Sequence, residues 1–559
     1  MPAARPEGGM VEMTGGQAVA RSLRAEGVEV AFGIVGTHNF QIFDGLFQTP
    51  EIRVVTTRHE QGAGFMADGY ARATGKIAAA VVVPGPGLTN ILTAMGQSYS
   101  DSVPFITITG QNPSDRLDRE LEDFHELRNS LAVAGAVSSF AVRASSGSEI
   151  PSEIRSAMQA MRGGRPRPTF MEVPMDILGA STGVTLMDTP LQVIRPAPPA
   201  EGIARAATLL AGANRPVVIA GGGVIMAEAQ AELLEVARLL GAPVITTCHG
   251  KGALPDDHTH ALGDGWGRLS VFDGLFAEAD ACLAVGTRFE VLSDARQGAA
   301  LPEKLVHIDI DGKVISQVKP ATVGVVADAR LALAALRDGL RSAGVRPRGP
   351  WCDVAAIRAG KVAALERAAG PVYDILRAIR ANTPRETIFA DDLCLPGYWA
   401  MAALDIYEPR TYFHPGMYGT LGYALPAGIG AALGRPDRPV VAMAGDGGFM
   451  YTSQELATAV QQKANVTAIV FNDNAYGALK LWQDRFTDGR YVGVALRNPD
   501  FARLGEAYGA RGIKLESHRD LGPAVADAVA AGGPTVIECP LDFDRDRYVP
   551  PWVPGVGGG

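Results

Sequence analysis

An aspartate between glycines at the end of a buried strand is a place where a backbone can close on a phosphate. The run Val440-Val441-Ala442-Met443-Ala444 reads as such a strand, and Gly445-Asp446-Gly447-Gly448 follows at its carboxyl end, where ligands bind in open parallel sheets. The glycines let the backbone approach closely. Residues 448–471 separate this turn from Asn472-Asp473-Asn474, room for a helix and a second parallel strand that returns to the same edge. Thr452 and Glu455 have capping-box spacing, so the helix is expected over Ser453 to Gln462, with its free N–H groups and positive end toward an anion. Asp446 and the Asn-Asp-Asn turn would then meet as oxygen donors for a hard cation such as magnesium. For Gly-Asp-Gly alone, a glycine-rich turn with a solvated aspartate is the alternative; the second turn at this spacing favours a metal–diphosphate cradle.

A second group able to do chemistry stands almost four hundred residues earlier, in the segment from Arg58-His59-Glu60-Gln61-Gly62 to Tyr70-Ala71-Arg72. A glutamate that exchanges a proton near neutrality needs its pKa raised by burial, and Gly62, Ala63, Gly64 and Met66 offer small or apolar neighbours. A surface glutamate opening a helix at its favourable end is the other reading of Glu60.

Positioning these groups calls for alternating helices and short apolar strands. From Thr14 to about Pro174 the chain shows helical stretches at Gly16 to Glu26, Gly62 to Thr74 and Ala94 to Asp101, and apolar runs at Val30 to Ile34, Ala78 to Val83 and Phe105 to Thr109. Such alternation predicts a parallel sheet wrapped by helices. Pro190 to Pro199 reads as a linker, as does Gly344 to Trp351. Between them a second unit carries apolar runs at Pro216 to Ala220, Ala281 to Val285 and from Leu305, with a helical Asp328 to Leu340; a third runs from about Val372 to Leu541. The fold class is therefore α/β, with three consecutive doubly wound parallel-sheet domains over residues 1–188, 189–348 and 349–559.

Together the two chemical segments resemble the signature of the thiamine diphosphate enzymes of the acetolactate synthase, pyruvate oxidase and benzaldehyde lyase type. The resemblance extends through Val83-Pro84-Gly85-Pro86-Gly87-Leu88-Thr89-Asn90, Asp101-Ser102-Val103-Pro104 and Gly416-Met417-Tyr418-Gly419-Thr420-Leu421-Gly422 to Ala427. It implies three domains that bind the pyrimidine (with Glu60), a central position, and the diphosphate with magnesium. It makes Glu60 the acid that protonates the cofactor's aminopyrimidine ring, and Asp446, Asp473 and the Ala475 carbonyl the magnesium ligands. Asp473 departs from the asparagine usual there and adds a negative charge. Pro84, Asn90, Gly445, Gly447, Gly448, Tyr476 and Gly477 fall at cofactor-binding positions; Gly419 would accept from the pyrimidine amino group through its carbonyl, and Leu421 would wedge the cofactor into its bent form, with core packing the alternative for Leu421. The resemblance also implies a homodimer as the minimal active unit, and a homotetramer as the common assembly.

Around the reaction pocket the resemblance singles out His38, in Phe32-Gly33-Ile34-Val35-Gly36-Thr37-His38-Asn39, where benzaldehyde lyase-like enzymes carry a proton-relaying histidine; His titrates closest to neutrality. A structural or solvent-facing histidine is the alternative. Gln111 matches a glutamine near the substrate, and His125, in Phe124-His125-Glu126, stands where acetolactate synthases have glutamine. Trp482 resembles the tryptophan that narrows the acceptor pocket, with a core role as its alternative. In the middle domain Gly221-Gly222-Gly223, Gly286-Thr287-Arg288-Phe289 and His307-Ile308-Asp309-Ile310-Asp311 resemble flavin-holding places, with Arg288 as the polar contact. Gly263-Asp264-Gly265-Trp266-Gly267-Arg268 departs from that pattern, so FAD is the less favoured cofactor.

The whole composition narrows the classes. A net charge of −9, with no Lys/Arg cluster interleaved with aromatics, argues against a nucleic-acid partner. The apolar runs are strand-sized, which argues against a membrane span. The absence of an apolar signal core after Met1 and five scattered cysteines favour a reducing cytoplasm. The leading reading is decarboxylation of a 2-oxo acid with carboligation. A lyase or hydrolase acting on 2-hydroxyketones or a cyclic 1,2-diketone, and a flavin-coupled oxidoreductase, are the alternatives; retention of Glu60, Asp446 and the turn after Phe471 disfavours a non-catalytic relative.

Overall fold

The computed structural model describes residues 9–187, 189–264, 271–289 and 301–548. Its frame is three six-stranded parallel sheets, plus a two-stranded antiparallel ribbon pairing Met10–Thr14 with Ser181–Thr185. The three expected α/β sheets are all present.

The chain divides into two compact units. The first comprises residues 1–194, 418–437 and 452–465. Its sheet runs, edge to edge, Arg53–Thr56, Val30–Gly33, Ala79–Val82, Ile106–Gln111, Thr169–Pro174 and Ala141–Arg143. The order reverses direction between Val30–Gly33 and Ala79–Val82, a topological switch point where the strand ends leave a crevice. Alternate strand side chains reach both covered faces, so all six residues of Ile106–Gln111 and of Thr169–Pro174 are buried, the polar Thr107, Thr109, Gln111, Thr169 and Glu172 among them. The helix Ala424–Gly434 crosses Glu60–Thr74 in this unit. Reciprocal glycines permit the approach: a Cβ on Gly69 would strike the Ala427 carbonyl, and one on Gly430 the Met66 carbonyl.

The second unit comprises residues 195–417, 438–451 and 466–559 and holds two sheets. The middle one runs Ala261–Asp264, Val244–Thr246, Pro216–Ala220, Ala281–Val285, Leu305–Asp309 and Val323–Val326. The other runs Tyr412–Phe413, Ile388–Asp391, Val440–Gly445, Val466–Asn472, Thr535–Pro540 and Arg511–Lys514, with Gly445 registered opposite Phe471. Their cores are separate apolar clusters under each sheet.

Two expectations are corrected. The helix expected from Ala94 begins at Pro86, because proline's fixed φ suits the first helical position and its missing N–H costs nothing there. The stretch 344–351 forms neither helix nor strand and is tied down: the Arg348 guanidinium donates to the Leu240 carbonyl and Trp351 Nε1 donates to the Pro216 carbonyl at 2.7 Å. And no capping box opens a helix at Ser453. A helix Asp446–Thr452 starts directly at the Gly-Asp-Gly turn, Ser453–Glu455 is a 3-10 turn, and Leu456–Gln462 follows. Thr452 Oγ1 donates instead to the Gly422 carbonyl, and the Glu455 carboxylate is committed elsewhere.

Candidate active site

The first unit gathers His38, Glu60, Asn90 and Gln111 at or beyond the carboxyl ends of four adjacent strands. Arg53–Thr56 leads to Glu60, the first residue of helix Glu60–Thr74, with His59 as its cap accepting from Gln61 N. Glu60 is half-buried. Its surroundings differ from the expectation: Gly62 and Gly64 face Glu455 and Ala94, whereas Glu60 lies beside Gly87 and Asn90. Asn90 Nδ2 donates to Glu60 Oε2 at 2.9 Å, so this residue, expected on the cofactor, here orients the acid. From the other side Glu455, fully buried, accepts from the backbone N–H groups of Arg58 (3.1 Å) and His59 (2.9 Å) and from Thr458 Oγ1 (2.7 Å). Burial pushes its carboxyl up, and these donors hold it down. Glu455 thus fixes the two residues that precede the candidate acid.

His38 and His125 come together. Their rings stack with centroids 5.1 Å apart, and Phe124 stacks on His125 at 3.9 Å while remaining 67% exposed. Gly110 lets the His38 carbonyl lie against the end of strand Ile106–Gln111. Burial first, and then His38, lower the His125 pKa, while the Glu60 charge pulls the other way. Gln111 is not presented to this group. Its Nε2 donates to Glu172 Oε2 and Ser130 Oγ, and its Oε1 accepts from Asn112 N, so the side chain belongs to a buried network. Leu421 is half-buried, outside the fully buried core, after Gly419 at φ +70° and Thr420, whose N–H donates to Gln97 Oε1.

The second unit carries the proposed metal turn. Asp446 is 2% exposed; Oδ1 accepts from Gly447 N at 2.8 Å and Oδ2 from Asn498 Nδ2 at 2.6 Å. The N–H groups of Asn474 and Ala475 also favour its charged form, against burial, which raises its pKa as the largest effect. Asp473 Oδ1 accepts from Ala475 N, and Asn472 Oδ1 from Asn474 N. The two turns therefore meet across neighbouring strands, as their spacing predicts. The Gly447 site is closed by the Tyr476 ring, and Gly477 opens the helix Gly477–Phe486 that carries half-buried Trp482.

These donors fit a hard cation. A buried aspartate and a second carboxylate in an oxygen-rich turn gain from a divalent ion, and among the described residues no cluster of three or more His, Cys, Asp or Glu forms a complete protein cage. The missing oxygens are those a diphosphate and water would bring. Asn498 was not foreseen. It reaches Asp446 and Asn472 because residues 494–496 pair with the turn, through Tyr476 N to Val494 O, Leu496 N to Asn474 O and the Ala475–Ala495 bridge. No spacing signal marks it.

Family models match along the chain: the N-terminal TPP binding domain of thiamine pyrophosphate enzymes over residues 13–132, their central domain over 203–336 and their C-terminal TPP binding domain over 394–539. The chain is 39% identical over 535 residues to a probable 2-ketoarginine decarboxylase of Pseudomonas aeruginosa, with 94% of each covered. It belongs to the thiamine pyrophosphate enzyme family. Other thiamine pyrophosphate enzymes similar to it are a probable acetolactate synthase large subunit of Methanocaldococcus jannaschii, 31% identical over 95% of this chain and 92% of that one, and the acetolactate synthase large subunit of Corynebacterium glutamicum, 31% over 92% and 84%. The chain is an enzyme of thiamine diphosphate chemistry, in the general class of 2-oxo acid decarboxylation and carboligation.

In this thiamine pyrophosphate enzyme the glycines of the middle sheet are spent on packing. Gly221 and Gly223 lie against Gly286, Gly223 N donates to the Gly286 carbonyl, and His307 Nε2 pairs with the Thr287 carbonyl at 2.9 Å. Of the loop that departs from the flavin pattern, residues 265–268 lie outside the described residues. Among the described residues no helix is long and apolar enough to cross a membrane, and none of the five cysteines forms a disulfide.

Proposed function

We propose that this enzyme decarboxylates a 2-oxo acid longer than pyruvate and passes the remaining acyl unit to a proton or a second carbonyl. The observation that supports the reading is the held acid: Asn90 donates to the Glu60 carboxylate, and Glu455 accepts from the backbone N–H groups of Arg58 and His59 just before it, at the carboxyl edge of a sheet. Bound thiamine diphosphate would supply a carbanion that adds to the 2-oxo carbon and takes up the electron pair released with carbon dioxide. Asp446, Asp473 and the Ala475 carbonyl would hold its magnesium, Gly445, Gly447 and Gly448 would let the backbone close on the diphosphate, and Glu60 would exchange a proton with its pyrimidine ring. Leu421 and the Gly419 carbonyl would fix its bend. His38 and His125 would line the substrate side.

The relative named for 2-ketoarginine makes a guanidinium-bearing 2-oxo acid the first donor to try. The imidazole pair supports a second reading, cleavage of 2-hydroxyketones or a cyclic 1,2-diketone, because two proton-carrying groups suit reactions without loss of carbon dioxide. We further propose a homo-oligomer, a dimer at least, in a reducing cytoplasm. The test is product analysis by NMR with magnesium and thiamine diphosphate, offering pyruvate, longer and cationic 2-oxo acids, hydroxyketones and a cyclic dione. Carbon dioxide with an aldehyde or acyloin from a longer acid supports the proposal; cleavage of a hydroxyketone or dione alone moves it to the second reading.

A further inference from the structure

The wall that carries His38 contains a second polar side chain that the reading of the motifs passed over. Asn112 follows Gln111 at the end of strand Ile106–Gln111, and it is 5% exposed. His38, itself 3% exposed, sets Nε2 at 2.8 Å from Asn112 Oδ1. Each keeps one polar atom buried without a partner among the described residues: Nδ1 on His38 and Nδ2 on Asn112. His125, stacked 5.1 Å away, keeps its own Nδ1 unpaired in the same way. A buried polar atom left unpaired costs about 1–3 kcal/mol, and a cluster of them is what a polar ligand would relieve.

An amide oxygen only accepts, so the short His38–Asn112 pairing requires the proton on Nε2, and in the neutral ring the other nitrogen then carries a lone pair. We infer that Asn112 is the positioning residue of the substrate-oxygen site: it holds His38 in the Nε2–H tautomer, leaving His38 Nδ1 as acceptor and Asn112 Nδ2 as donor for a carbonyl or hydroxyl oxygen next to the reacting carbon. Gln111, whose amide is tied to Glu172 and Ser130, supports the strand end from within. The assignment of this oxygen to a 2-oxo acid substrate rests on the function proposed above; the tautomer does not.

Two substitutions separate the parts. Asn112→Asp keeps an acceptor for His38 and removes the donor; Asn112→Leu removes both. Proton–nitrogen correlation spectra of the full chain labelled at histidine, with and without magnesium and thiamine diphosphate and with the His38 signal assigned by its loss in His38→Gln, read the tautomer directly. The wild type and Asn112→Asp should show Nε2–H, and Asn112→Leu should lose it. In steady state, kcat should fall about 10-fold in Asn112→Asp and about 100-fold in Asn112→Leu, the latter the lower end of the roughly 10²–10⁴-fold that a positioned proton-transfer group provides, with KM rising less. An Nδ1–H tautomer in the wild type, or unchanged kcat in Asn112→Asp, overturns the inference; the second result decides it even if Asn112→Leu does not fold. A wild type that turns over no 2-oxo acid defeats the functional reading instead, while the tautomer comparison still stands.

Discussion

Glu60 needs two kinds of support, a hydrogen bond that orients its carboxylate and a fixed backbone at the helix start, and Asn90 and Glu455 provide one each. Glu60→Gln keeps the shape and the Asn90 contact but cannot deliver a proton, so kcat should drop by about 100-fold or more while cofactor affinity, read by calorimetry, stays within a few-fold. Full turnover would remove Glu60 from the mechanism. For His125 the sign is set by burial: its folded pKa lies below the ordinary value of about 6.5, so the unfolded chain takes up the proton first as pH falls. Its contribution to stability is complete above about 6.5 and is lost as pH falls from there toward the lowered folded pKa. Wild type should therefore lose more thermal stability between pH 7.5 and 5.5 than His125→Asn, compared by melting temperature at each pH; equal losses would show that His125 is not the group responsible. At this scale Asp446 and Glu60 stood out because the acids sit beside glycines, and Asp473 because the Asn-Asp-Asn turn follows Gly-Asp-Gly at a spacing that fits one helix and one strand. Asn112, Asn498 and the true partner of Glu455 were not, because their contacts are made by segments far apart in the chain and nothing local records them.

The elements carry the motifs through strand order. Four candidate groups of the first unit, His38, Glu60, Asn90 and Gln111, lie at or beyond the carboxyl ends of four adjacent strands, and the metal turns follow two neighbouring strands of the second. That much follows from alternating helices and apolar runs, which is why the three sheets were foreseen. The helix boundaries around the turns were less visible: Pro86 reads as a breaker in isolation yet starts a helix, and Thr452 and Glu455 have capping spacing yet spend their side chains on Gly422 and on Arg58, His59 and Thr458. Gly62 shows how tightly the latter contact is built, since a Cβ there would overlap the Glu455 carboxylate. Gly62→Ala should cost about 1–3 kcal/mol in urea unfolding through overpacking, and should lower kcat by disturbing the start of the Glu60 helix. A variant as stable and active as wild type would show that the Glu455 contact does not hold Glu60.

At the scale of the molecule, the first unit is assembled from three stretches of chain, and sequence order gave no hint of it. A buried network joins two of them: Asp68 accepts from Tyr423 Oη at 2.6 Å, from Ser98 Oγ at 2.7 Å and from Arg72 Nε at 2.6 Å, while Arg72 Nη2 reaches Asp101 at 2.7 Å. Removing Asp68 leaves the Arg72 charge and the Tyr423 hydroxyl buried with part of their partners gone. Asp68→Ala should destabilise the chain by about 3–5 kcal/mol by denaturant unfolding, and a loss below about 1 kcal/mol would show the network to be dispensable. In the function proposed above, Asp446 holds the cofactor's magnesium, whereas Glu60 exchanges a proton with the cofactor and is not needed to bind it. The most direct test of this division is a calorimetric titration of thiamine diphosphate with magnesium into wild type, Glu60→Gln and Asp446→Ala. Saturable binding of similar affinity is expected in the first two and none in the third; binding to Asp446→Ala as tight as to wild type would remove Asp446 from the cofactor site.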